Sequence, residues 1–296
     1  MQWDIALAGL GVGFIIGLTG MGGGALMTPV LVIIFKVPAA SAISSDIVAS
    51  FFLKPIGGGV HIRRGTVNWT LVRWLAIGSV PAAFAGSYVI DQVASKGVED
   101  DIKTILGAVL LLAAAAMLVK VAVQARRGPV PDVMMDQRLV RPLPTALIGV
   151  VGGFMVGLTS VGSGSLMIVM LIILYPTLSS REMVGTDLVQ AIPLVGAAAI
   201  GHLLFGSLAL GLTLSVMVGA MPGVYLGANV SARASDKFIR PVLVAVLAIS
   251  SLKLLDVPNG ALLGASGIAL VVLAGVFLVS QRRATVRARN EGALTH

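Results

Sequence analysis

Charge is what this chain has least of. Only 11% of its 296 residues are Asp, Glu, Lys or Arg, while 57% are hydrophobic; an ordinary soluble domain carries roughly 25% charged residues. A water-facing surface cannot be built from so few charges. Four stretches, 5–35, 142–180, 188–232 and 257–281, contain no Asp, Glu, Lys or Arg, and an apolar run of about 18 residues already suggests a membrane span. A soluble α/β protein with buried helices would need polar outer faces, which these runs lack. The composition therefore points to a polytopic membrane protein.

Cysteine is missing altogether, which excludes disulfides, thiolate zinc sites and cysteine nucleophiles. With three His and thirteen acids, the chain has no HExxH, no close His cluster, no GxxxxGK[ST] loop and no GxSxG elbow. A metal site, a resident cofactor, ATP hydrolysis and enzyme chemistry are accordingly not expected. Aromatics make up only 5%, but Trp69 and Trp74 flank Arg73 as an interfacial belt would. The formal net charge is +8. Most of the arginines fall in short segments between apolar runs, where membrane orientation explains them better than a nucleic-acid partner does. The start, Met1-Gln2-Trp3-Asp4, lacks the basic region of a cleaved signal peptide.

What the chain does have is a repeat. Residues 9–27 laid over 149–167 match at Gly9/Gly149, Gly13/Gly153, Phe14/Phe154, Gly17/Gly157, Leu18/Leu158, Thr19/Thr159, Gly22/Gly162, Gly24/Gly164, Leu26/Leu166 and Met27/Met167. One inserted residue later the register resumes at Asp46/Asp187, His61/His202, Gly65/Gly206, Gly78/Gly219, Pro81/Pro222 and Gly86/Gly227. Two homologous halves follow. The division is a first transmembrane repeat at 1–124, a basic cytoplasmic linker at 125–143, a second repeat at 144–255, an additional C-terminal helix at 256–281 and a basic tail at 282–296.

In each half the first two apolar pieces are short and meet at a Gly-rich break, Gly20-Met21-Gly22-Gly23-Gly24 or Ser160-Val161-Gly162-Ser163-Gly164. A helix of about 13–16 residues spans some 20–24 Å, less than the roughly 30 Å hydrocarbon core. Each pair is thus a broken helical hairpin, or two short tilted helices, with its turn inside the membrane, followed by three full helices. An even number of crossings from the hairpin and three more give each repeat odd parity, so the second repeat must be inverted. Placing Arg63 and Arg64 in the cytoplasm also places there Arg126, Arg127, Arg138 and Arg141, then Arg233, Lys237 and Arg240, and the tail arginines 282, 283, 287 and 289; the acidic segment 91–101 falls outside. The fold expected is all-α with two inverted-topology repeats, N-terminus outside and C-terminus cytoplasmic.

Broken helices in a bilayer leave backbone groups that protein, water or substrate must satisfy. Half-helices starting near Ala25 and Ser165 point their amide ends at the two turns, which suits an anion, and such facing half-helices near the midplane are the pattern of secondary-transporter sites. The candidate substrate-binding residues are Thr19, Gly22, Gly23, Gly24, Lys54, Thr159, Gly162, Ser163, Gly164 and Gln190. Ionisable groups at membrane depth are costly unless paired or hydrated. Asp46 and Asp187 hold matched positions, Lys54 lies two turns beyond Asp46 on one helix face, and Val195 is its uncharged mate. Asp46 and Asp187, with His61 and His202, are candidates for proton coupling or gating.

The stretches Gly13-Phe14-Ile15-Ile16-Gly17-Leu18-Thr19-Gly20-Met21-Gly22-Gly23-Gly24, His61-Ile62-Arg63-Arg64-Gly65-Thr66-Val67-Asn68-Trp69 and Gly185-Thr186-Asp187-Leu188 resemble the sulfite exporter TauE/SafE family, the TSUP permeases, over about residues 5–255. The resemblance implies a multi-pass protein of the bacterial inner membrane, a secondary carrier for sulfur-containing anions such as sulfite or organosulfonates, and export as its direction. An anion channel, or an uptake permease for another small oxyanion or carboxylate, stays open on residues alone, as does a homo-oligomer. The second turn, Gly162-Ser163-Gly164, is less glycine-rich than the first and departs from symmetric coordination.

Overall fold

The structure is a computed structural model that describes residues 2–19, 23–126, 134–206, 208–231 and 236–258. The second turn lies wholly within these residues; Gly22, the part of the basic linker at 127–133, the additional helix expected near 259–280 and the basic tail lie outside them, as does the side chain of Thr19.

Among the described residues the chain is helical, with no strand. The first half runs α1 (Trp3–Thr19), α2 (Gly24–Ile33), α3 (Ala39–Arg63), α4 (Trp69–Ser95) and α5 (Glu99–Arg126). The second runs α6 (Pro142–Thr159), α7 (Leu166–Leu174), α8 (Ser180–Leu204), α9 (Leu210–Ser231) and α10 (Asp236–Leu254). Local chemistry sets the boundaries. Asn68 caps α4 by accepting from the Leu71 amide at 3.2 Å, Ser179 caps α8 by accepting from Glu182 at 3.2 Å, and Pro142 opens α6 where its missing N–H costs nothing. The backbone turns after α3 and α4 at Gly65 and Gly97, both at positive φ.

Five of these helices are long and apolar enough to cross a membrane: Ala39–Arg63, Glu99–Gln124, Pro142–Thr159, Ser180–Leu204 and Leu210–Gly227. By contrast α2 and α7, with 10 and 9 residues, reach only about 15 Å. The bundle wears its apolar side chains outward, Leu7, Leu147, Ile77 and Leu214 among them, and buries Asp46, Lys54, Asp187, Gln190 and His202. In water that distribution would be unfavourable; in a bilayer, lipid tails solvate the exterior and the polar groups are paired within.

The halves interlock. The first helix of each packs along the fourth of the other, α1 on α9 and α6 on α4. Glycines make both contacts close: a methyl at Gly13 would collide with the Ala220 backbone, and one at Gly153 with the Ser79 backbone. The neighbours climb together, Ala6 beside Gly219 and Phe14 beside Gly227, so α1 and α9 run parallel, as do α4 and α6. The third helices do the opposite. Ser44 meets His202, Phe51 meets Gly196 and His61 meets Gly185, so α3 and α8 lie antiparallel.

The two ends of the bundle differ in charge. One gathers Lys36, Glu99, Lys103, Lys253 and Asp256 around a cleft of ≈ 400 Å³. At the other, where α3 ends at Arg63 and Arg64 follows, the first turn of α4 meets the segment 134–141 through a 2.8 Å bond from Thr70 Oγ1 to Gln137 Oε1. There Glu182 accepts from Asn68 Nδ2 at 2.8 Å and from the Met135 amide at 2.9 Å.

Candidate functional site

The turns of the two hairpins meet at the centre. A methyl group added to Gly24 would overlap the Ser160 carbonyl, and one added to Gly23 would lie 3.2 Å from Ser50 Oγ and 3.4 Å from Asp46 Oδ1. Only glycine lets the first turn approach the second this closely. Ser160 ends α6 in the left-handed region at φ 64°, which folds the chain back so that Met167 lies against Gly152.

Asp46, on α3, reaches both hairpins. Its Oδ2 accepts from Thr28 Oγ1 on α2 at 2.9 Å and from Ser160 Oγ at 2.7 Å. Two turns along α3, Lys54 donates to Ser163 Oγ at 2.9 Å and lies within electrostatic reach of both Asp46 and Asp187. Asp187, on α8, accepts from Gln190 Nε2 at 3.5 Å and from the Gly164 backbone. Gln190 also accepts from Ser79 Oγ at 3.3 Å and donates to Met167 Sδ at 2.8 Å. The hydroxyl of Ser45, beside Asp46, is buried without a hydrogen-bond partner.

A single cation between two carboxylates, with the hydroxyl of Ser163 on the cation and that of Ser160 on Asp46, is therefore buried where the two breaks converge. Chemically it offers an ammonium and hydroxyl donors to an anion, and carboxylates to a proton. Among the described residues no group of three or more His, Cys, Asp and Glu is arranged to hold a metal.

Of the residues singled out by sequence, Gly23, Gly24, Asp46, Lys54, Ser163, Gly164, Asp187 and Gln190 come together here. Thr159 is placed differently: its hydroxyl donates to the Met155 carbonyl at 2.8 Å, closing the last turn of its own helix. Gly162, at φ 138°, packs against Val156 and shapes the turn. The histidines sit at opposite ends of the α3–α8 pair. His202 is buried, with Nδ1 2.9 Å from Ser44 Oγ and Nε2 donating to the Gly157 carbonyl at 2.9 Å; His61 is less buried and pairs with Thr66 Oγ1 at 2.8 Å. Thr28, Ser160, Ser79 and Met167 were missed by sequence reading. Thr28 carries a usable signal as the lone hydroxyl in Gly-Ala-Leu-Met-Thr-Pro-Val-Leu-Val-Ile.

Residues 5–254 match the family model described as sulfite exporter TauE/SafE. The chain belongs to that family. Curated relatives of this TauE/SafE chain include the probable membrane transporter protein YjnA of Bacillus subtilis (strain 168), 38% identical over 257 residues that cover 86% of this chain and all of that protein. The probable membrane transporter protein YdhB of the same organism is 26% identical over 247 residues, 82% of this chain and 96% of that one. No solved structure matches the chain. The TauE/SafE protein is thus a multi-pass membrane transporter whose central polar cluster is buried between two helical hairpins.

Proposed function

We propose that this protein is a secondary carrier, not an enzyme, for small sulfur-containing anions such as sulfite and organosulfonates. The anion binds between the hairpin turns, against Lys54, Ser163 and Gln190 and the backbone of Gly23–Gly24 and Gly162–Gly164, with Thr19, Gly22 and Thr159 as the further binding residues expected from sequence. Asp46 or Asp187 takes up a coupling proton, and His61 and His202 close the two ends of the α3–α8 pair. The carrying observation is the 2.9 Å bond from Lys54 to Ser163, which sets the one buried cation among the described residues on a hydroxyl of the opposite half. An anion needs such a positive charge and such donors to leave water.

The halves 1–124 and 144–255 act as inverted repeats that rock about the site, a reading supported by the antiparallel α3 and α8 and by the crosswise packing of α1 on α9 and α6 on α4. The end holding Arg63, Arg64, Arg138 and Arg141 faces the cytoplasm of a bacterial cell, following the positive-inside rule. Net flow under the family's description is export. Purified protein in liposomes should move labelled sulfite or 2-hydroxyethanesulfonate with saturable kinetics. Flux no faster than in empty vesicles, for several sulfur anions and both gradient directions, would remove the substrate class; flux that never saturates would make the protein a channel.

A further inference from the structure

We infer that the Thr28–Asp46–Ser160 clasp couples transport to protons, and that one proton on Asp46 crosses with one monoanion on Lys54, in the same direction. The inference rests on the carrier reading and adds to it the sense and the stoichiometry of coupling.

The first support is geometric. Asp46 holds both hairpins through one oxygen, Thr28 at 2.9 Å from α2 and Ser160 at 2.7 Å from the second turn. Asp187 is held by Gln190 and the Gly164 backbone, both of the second half. The hydrogen bonds of Asp46 therefore cross the contact between the halves, whereas those of Asp187 stay within one half. Two hydroxyls on an ionised carboxylate are charge-assisted bonds. A proton on Asp46 removes the charge and half the acceptor capacity, so the tie between Thr28 and Ser160 slackens when the proton binds.

The second support is charge. Ionised Asp46, Lys54 and Asp187 sum to −1. Adding a monoanion alone makes −2 in a medium where field energies are large; adding it with one proton keeps −1. Cotransport thus carries the cluster across at constant charge, whereas exchange of a proton for an anion would alternate between 0 and −2. Among the described residues one neighbouring charge acts on the cluster, from α5, and it shifts every state by the same amount. Neither α2, α7 nor α9 has an acidic or basic residue, α1 has only Asp4, and α4 only Arg73 and Asp91. Lys120 of α5 acts on Asp187, and His202 of α8 is bound to Ser44 and Gly157.

One-to-one cotransport of a monoanion is electroneutral. Each pH unit across the membrane then balances an anion gradient of about tenfold, and export proceeds whenever the outward anion gradient exceeds the proton gradient. The test uses the whole chain in liposomes loaded with a pH-sensitive dye, driven by a gradient of labelled 2-hydroxyethanesulfonate, a monoanion throughout the range used. Influx should acidify the lumen with about one proton per anion, at a rate indifferent to clamped voltage. In Asp46→Asn the proton-to-anion ratio of the remaining flux should fall toward zero, and in Asp187→Asn it should stay near one. Ser160→Ala and Thr28→Val keep the carboxyl and should move the pH profile of transport to higher pH, because the lost donors favoured the charged form. Alkalinisation, absence of proton movement, or a ratio near one in Asp46→Asn overturns the clasp while leaving the carrier. If Asp46→Asn does not fold, an unmoved pH profile in Ser160→Ala overturns it instead. No flux in the wild type overturns both.

Discussion

Lys54→Met gives the most direct measure of how the central cluster is held. The side chain is 7% exposed, bonds Ser163 at 2.9 Å and stands between two buried carboxylates. Methionine keeps the length and flexibility of the stem and removes only the ammonium. What remains is Asp46 and Asp187 without a counter-charge, and a serine hydroxyl without its donor. Breaking a buried ion cluster by deleting one partner costs about 3–5 kcal/mol, so Lys54→Met should unfold that much more readily in a denaturant titration of the detergent-purified protein. Half-buried Lys103, beside Glu99 and Asp100, supplies the control: Lys103→Met should change stability by no more than about 0.5 kcal/mol. Adding Asp187→Asn to Lys54→Met removes one uncompensated acid, so the double variant should be more stable than the sum of the singles by about 0.5–3 kcal/mol. Transport should not recover with it. A charge-assisted bond to the anion is worth about 1.5–3 kcal/mol, which raises the apparent KM about 10- to 150-fold in both variants. If Lys54→Met matched the Lys103→Met control in stability and kept the wild-type KM, the cluster would be neither a charge network nor an anion site.

Three further outcomes follow from the same geometry. Gly24→Ala drives a methyl into the Ser160 carbonyl; parting the turns should cost about 1–3 kcal/mol of stability and lower transport more than Gly11→Ala, where the added methyl meets nothing. His202→Leu leaves the Gly157 carbonyl without its donor and should cost about 1–3 kcal/mol; His61→Leu, at the more exposed end, should cost less in the same titration. Glu182→Ala frees Asn68 Nδ2 and the Met135 amide, so hydrogen exchange in a peptide covering 134–141 should quicken, and unchanged exchange there would refute the anchoring of that segment by Glu182.

The helices were legible because the bilayer imposes a strong rule. With no water to satisfy backbone groups, apolar runs must be helical, and the glycine breaks that interrupt them stand out. The short pieces expected after the two glycine breaks correspond to Gly24–Ile33 and Leu166–Leu174. Asp46, Lys54 and Asp187 were legible for a related reason: so few charges occur at membrane depth that each needs an explanation.

Contacts between the halves were a different matter, because they join residues more than a hundred positions apart with no spacing to mark them. Nothing in the order of residues sets Ser160 rather than Thr159 on Asp46; that depends on a left-handed backbone at Ser160, which turns one hydroxyl toward α3 and leaves the other to its own helix. Glu182 lies at the start of a helix, where sequence suggests a local capping role, yet its carboxylate binds Asn68 and Met135 in two other segments. Sequence alone determined the solvent, the helices, the repeat and the few charges that matter, since each is a property of composition and period along one strand of chain. Tertiary structure decided which hairpin touches which, and thereby that one aspartate hydrogen-bonds across the halves while the hydrogen bonds of its repeat mate stay within one, because pairing across the bundle depends on packing distances that no local pattern encodes.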